Sequence, residues 1–107
     1  MYKTIKIVYR IQDKDRRGPY RDEYIDRWDN KNHNRDLILY PTPQTDQGIC
    51  TEMTEDIYCA FSSMKQLRGW FSNKQLKELR ELGLKIYVLK AEIIDKSSKQ
   101  ILIKFLK

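Results

Sequence analysis

The stretch Cys59-Ala60-Phe61-Ser62-Ser63-Met64-Lys65-Gln66-Leu67-Arg68-Gly69-Trp70-Phe71 decides the fold, because the hydrophobic period changes inside it. Ile57 to Phe61 reads as a short buried strand or extended segment entering the core. From Met64 onward the apolar residues recur at helical spacing, with Leu67, Trp70 and Phe71 following. Ser63 followed by Gln66 fits a capping box, in which a serine hydroxyl and a glutamine amide satisfy orphan groups of the first turn. A second helix is expected from about Asn73, with Leu76, Leu79 and Leu82 as its apolar stripe and Gly83 as its C-terminal residue.

On both sides of the helices the period is two. Leu84 to Ile94 alternates and is rich in β-branched residues, Asp95 to Ser98 predicts a turn, and Lys99 to Leu106 alternates again, which is a β-hairpin with a four-residue loop. At the other end Tyr2 to Ile11 predicts a half-buried strand, with Ile5, Ile7, Tyr9 and Ile11 on one face and Lys6, Val8 and Arg10 on the other. Between them Gln12 to Cys59 has little periodicity. It opens on a charged turn broken by Gly18-Pro19, continues through Tyr24, Ile25 and Trp28 at the spacing of a short docked helix or turn, and includes an apolar patch, Leu37 to Tyr40, that Pro41-Thr42-Pro43 ends. The order therefore predicts a single α+β domain over residues 1–107. A small antiparallel sheet, made of the N-terminal strand and the C-terminal hairpin, is covered on one face by two helices and interrupted by a long irregular insert. Unperiodic segments of that length are usually functional, so the insert is the expected working surface.

Composition narrows the partners. A hydrophobic fraction of 40% with 11% aromatics is that of a folded chain despite 34% charged residues. No apolar run approaches the roughly 18 residues of a membrane span, and Met1 to Lys6 lacks the apolar core of a signal peptide, so a cytoplasmic protein with no membrane partner is expected. The net charge of +6 favours polyanionic partners, but it is unevenly spread. Residues 1–35 hold ten Lys or Arg against six acids and residues 62–107 eleven against four, whereas residues 36–61 hold none against five.

Candidate chemistry is limited. His33, Cys50 and Cys59 fall short of the four ligands of a zinc site, so no metal or other cofactor is expected, and Cys59 sits in an apolar run suited to packing rather than nucleophilic attack. The turn with Arg16, Arg17 and Arg21 interleaved with Tyr20, next to Arg10 on the strand and Trp28 beyond, could contact phosphates through guanidinium forks while the aromatics stack on bases. Trp28, isolated among polar residues, is either a plug or a contact residue. Lys65, Arg68, Lys74, Lys77 and Lys85 form a second basic surface. The opposite arrangement is a protein-interaction module in which Asp46, Glu52, Glu55 and Asp56, within the acidic segment 36–61, mimic nucleic-acid phosphates. Exposed edges of the hairpin allow a homodimer.

Tyr9-Arg10-Ile11, Gly18-Pro19-Tyr20, His33, Pro41-Thr42-Pro43 with Asp46, and Phe61-Ser62 leading through Gln66-Leu67 to Trp70-Phe71 together resemble a widespread group of small phage and prophage proteins, over most of the chain. The resemblance implies a phage accessory protein in a bacterial host. By analogy with small phage proteins that act against host defence, it also implies a non-enzymatic, anti-CRISPR-like inhibitor that binds a defence protein, its nucleic acid or a nucleotide ligand. A fainter likeness is to ADP-ribosyltransferases, whose strand arginine, serine and catalytic glutamate would fall at Arg10, Ser62 and Gln100. Gln100 has no carboxylate to offer, so that likeness implies a nucleotide binder without turnover.

Overall fold

The computed structural model describes residues 4–19, 21, 23, 24, 27, 28, 49, 54 and 56–106. Ile25, His33, Leu37 to Tyr40, Pro41 to Pro43 and Cys50 lie outside them. In chain order the elements are β1 (Ile5–Gln12), β2 (Tyr58–Ala60), α1 (Met64–Trp70), α2 (Asn73–Glu81), β3 (Lys85–Lys96) and β4 (Ile101–Phe105). They form an α+β fold whose four strands make one antiparallel sheet in the order β1-β3-β4-β2. The N-terminal strand and the C-terminal hairpin expected from the sequence both form. The short segment before the helices adds a fourth strand at the far edge, pairing Tyr58 with Ile103 and Ala60 with Ile101.

The sheet curls. Tyr9 and Phe61 exchange backbone hydrogen bonds, each 2.8 Å, so the end of β2 returns to β1 and the two outer strands meet. A bulge at Ile94, between the pairs Ile93↔Ile103 and Asp95↔Leu102, bends the long β3 strand and adds to the twist. The curl gives the sheet a concave interior, filled by Val8, Ala60, Ala91, Ile101 and Ile103. Its outer face is packed in two places. The helices cover one with Phe61, Leu67, Trp70, Phe71, Leu79 and Leu84 against Ile11, and Ile49 and Ile57 cover the other above Leu102.

This geometry corrects the expected faces of β1. Val8 is fully buried and Arg10 nearly so, because they point into the concave interior. Ile5 and Ile7 share the outer face with Tyr9 and Ile11 but remain 48% and 54% exposed, since the helices reach only as far as the latter pair.

The helix signals hold, with one displacement. Ser63 Oγ accepts from the Gln66 amide at 3.1 Å, but Gln66 Oε1 accepts from the Ser62 amide rather than from Ser63, at 2.8 Å. The complete capping box lies one helix later, where Ser72 Oγ accepts from the Gln75 amide and Gln75 Oε1 from the Ser72 amide. At the end of α2 the Gly83 amide donates to Arg80 O and the Leu84 amide to Leu79 O. Gly83 takes φ 95°, which completes a Schellman motif and sets Leu84 against Leu79 in the core. The hairpin turn falls at Ser97–Gln100, two residues later than expected. The bulge lets Asp95 and Lys96 stay paired with β4, and the Ser97 hydroxyl accepts from the Lys99 and Gln100 amides to fold the turn.

Candidate functional site

The charged turn after β1 is built around two interior groups of opposite sign. Asp13 is a buried carboxylate; its Oδ1 accepts from the amides of Asp15 at 2.8 Å and Arg17 at 2.9 Å, and its Oδ2 from the Tyr24 hydroxyl at 2.6 Å. Burial alone would raise its pKa, but the Tyr24 hydroxyl and the two amides outweigh it and hold the carboxyl below its ordinary value. The same bond raises the Tyr24 phenol, with burial adding to the effect. The sequence signal for this role was present, since an aspartate at the head of a turn takes the backbone amides that follow it.

Arg10 is the second group. Its side chain is 7% exposed and lies in the mouth of the concave interior, 5.2 Å above the Tyr58 ring and 5.8 Å from that of Phe105. Nε donates to Gln12 Oε1 at 3.0 Å, Nη1 to the Cys59 carbonyl at 2.6 Å and Nη2 to the Arg16 carbonyl at 3.1 Å. Gly18 makes room for it: a Cβ there would stand 3.3 Å from Nη2. Among the described residues no carboxylate lies within 4 Å of the guanidinium. Burial pulls its pKa below the usual arginine value, and neutral carbonyls and ring faces carry the charge instead. Burial also pushes the Cys59 thiol up, so it is a poor nucleophile.

The structure thus divides the expected contact residues by position. Arg10 lies in the interior, because the curl turns it inward, and its guanidinium is bonded to Gln12, Cys59 and Arg16. Trp28 is a plug: it is 6% exposed, donates from Nε1 to the Pro19 carbonyl at 3.0 Å, and tilts against Phe71 with ring centres 5.7 Å apart. Arg16, Arg17 and Arg21 are exposed, with Lys14 beside them. Arg16 takes φ 67°, a left-handed conformation that costs a non-glycine residue about 1–2 kcal/mol, and its guanidinium carbon lies 4.4 Å from the Phe105 ring centre. Arg17 and Arg21 approach Glu23 loosely, at 3.8 and 3.9 Å. Tyr20 lies outside the described residues.

Of the acidic alternative, Asp46, Glu52 and Glu55 lie outside the described residues. Asp56 is exposed, accepts from Thr54 and pairs with Lys104 at 3.2 Å, which together lower its pKa. Nor are Arg10 and Gln100 brought together. Gln100 precedes β4 while Arg10 sits at Phe105, the last residue of that strand, so five residues of extended chain, roughly 16 Å, separate the two levels. Among the described residues no cluster of three or more His, Cys, Asp or Glu could hold a metal ion. No described helix is long and apolar enough to cross a membrane.

The fold and site define a small α+β protein with a curled four-stranded sheet and an arginine-bearing turn locked from inside. The chain belongs to the bacteriophage T4 Y00F protein family, whose model matches residues 1–106, which makes it a small phage accessory protein. No curated protein and no solved structure matches it.

Proposed function

We propose that this phage protein acts by binding rather than catalysis, and that its arginine turn engages a phosphate-bearing component of a host defence system, the nucleic-acid path of a CRISPR-type effector being the reading favoured. One observation carries it. The protein commits a buried carboxylate and a buried guanidinium to fixing a turn whose outward side chains are Lys14, Arg16 and Arg17, with Arg21 just beyond. A loop already held in one conformation loses little entropy when it meets a partner, and left-handed backbone at a non-glycine residue is found where surrounding structure over-determines it, commonly at functional positions. Guanidinium forks suit phosphate oxygens, and of the described acids beside them Asp13 is buried and taken up by the turn's own amides, leaving Asp15 and Glu23 at the surface.

The test is the salt dependence of binding to short single- and double-stranded nucleic acids, followed by fluorescence anisotropy, for the native protein and for Arg16→Glu/Arg17→Glu. The expected result is an affinity that falls steeply with salt and drops at least tenfold in the double variant, while the melting temperature falls by no more than a few degrees, the cost of the lost contact between Arg16 and the Phe105 ring. Equal affinity in the two proteins would overturn the assignment of this turn.

A further inference from the structure

A groove of about 470 Å³ lies between α1 and the Ser97–Gln100 turn. Gln66 builds it, joining the two elements: its Nε2 donates to the Ser98 carbonyl at 3.0 Å and its Oε1 accepts from the Ser62 amide at 2.8 Å. Lys65 and Lys99 stand among its walls, Trp70 forms its apolar part, and none of the described residues lining it is acidic. Lys65 is exposed and has no carboxylate within 4 Å among the described residues. The Ser63 hydroxyl accepts from the Gln66 amide and keeps its own proton to donate.

Gly69 is the second observation. It lies inside α1, has no positive φ, and a Cβ built on it would meet nothing within 4 Å. Neither turn geometry nor close packing within the fold requires glycine there, and glycine within a helix is less stable than alanine. What its missing side chain does is leave the groove open along the helix. A glycine without an internal reason, on the wall of a groove whose described lining holds two lysines and no acid, fits the close approach of a ligand to the backbone.

We propose that this groove binds a small phosphomonoester, its oxygens met by Lys65, Lys99 and the Ser63 hydroxyl, with the group that carries the phosphate lying along Gly69 and against Trp70. The volume falls in the range of small-ligand sites. The site is separate from the arginine turn, so it stands or falls independently of the function proposed above.

The probes are AMP, inorganic phosphate, adenosine and a tetranucleotide with and without a 5′-phosphate, titrated by calorimetry and by amide chemical shifts at Gly69 and Ser98. Saturable AMP binding, at least tenfold tighter than adenosine, is expected. Tighter binding of the 5′-phosphorylated tetranucleotide would identify a nucleic-acid end as the source of the phosphomonoester, and tighter binding of AMP a free nucleotide. Gly69→Ala should raise the melting temperature by a few degrees while weakening AMP at least tenfold, a pairing that loss of fold cannot mimic. Lys65→Gln/Lys99→Gln should weaken AMP at an unchanged melting temperature, and Arg16→Glu/Arg17→Glu should leave it untouched. Absence of saturable binding by every phosphorylated probe, adenosine binding as tightly as AMP, or native affinity in Gly69→Ala would each overturn the proposal.

Discussion

Arg10 Nη1 donates to the Cys59 carbonyl at 2.6 Å, a bond that crosses the seam where β1 meets β2 and closes the curled sheet. The same guanidinium holds the Arg16 carbonyl, so one side chain couples closure of the sheet to the conformation of the turn. Replacing it strands the partly buried carbonyls of Cys59 and Arg16 and the Gln12 side chain. Arg10→Ala is expected to lose about 3 kcal/mol in urea denaturation, as the cost of orphaned polar groups and a cavity combined. Arg10→Lys should recover only part of this, because an ammonium cannot span three acceptors in one plane. Full stability in the alanine variant would show that the seam holds without the arginine.

Asp13 makes the turn sensitive to acid. Its carboxyl is held below its ordinary value in the folded protein, so its stabilisation is complete above the unfolded value, about 3.9, and is lost as the pH falls through the depressed folded value. The Tyr24 phenol runs the other way: raised when folded, its contribution is complete below about 10 and is lost as the pH rises through the folded value. Asp13→Asn should therefore flatten the acid limb of the stability profile and cost about 1–3 kcal/mol at neutral pH. The two backbone amides would be left with a weaker acceptor. An acid limb as steep in the variant as in the native protein would assign it to other carboxyls.

These two residues also show what the sequence could convey. Helices and hairpin were legible because their signals are local: Ser63 before an apolar period, the stripe Leu76, Leu79 and Leu82 closed by Gly83, and alternation on both sides of a turn. The burial of Val8 and Arg10 was not, since alternation marks two faces without saying which is inside, and here curvature buries the face that carries the charge. The segment Ile57 to Phe61 was legible as a short strand or extended run, but not its place at the sheet edge, which is set by pairing with β4 and by the Tyr9–Phe61 exchange. The arginines of the turn were evident in the sequence, but not which of them the fold would leave at the surface. The role of Asp13 in fixing them depends on Tyr24, eleven residues away and brought back by the chain's successive turns.

Gly83, just past the end of α2, and Gly69, within α1, should respond to alanine with opposite signs. Gly83 has φ 95° and terminates α2, so Gly83→Ala forces a Cβ into left-handed backbone and should cost about 1–2 kcal/mol, read from thermal or urea midpoints. Gly69, with ordinary helical backbone and open space for a Cβ, should gain stability on the same change. A loss at Gly69 would mean that the wall of the groove is closer than it stands here.

Arg16 separates structural from functional use of the turn. Its left-handed conformation costs an arginine about 1–2 kcal/mol that glycine would not incur, while glycine forfeits an exposed contact with the Phe105 ring, worth about 0.5–1 kcal/mol, and adds freedom to the unfolded chain. These terms nearly cancel, so Arg16→Gly should keep the native stability within about 1 kcal/mol, the carbonyl that Arg10 holds being unchanged in kind. If the turn meets phosphates, the same variant should bind nucleic acid several-fold more weakly, with a salt slope smaller by about one unit for the contact removed. A stability loss above about 2 kcal/mol would show that the guanidinium over Phe105 holds the sheet mouth shut, and the arginine would then belong to the scaffold with Arg10.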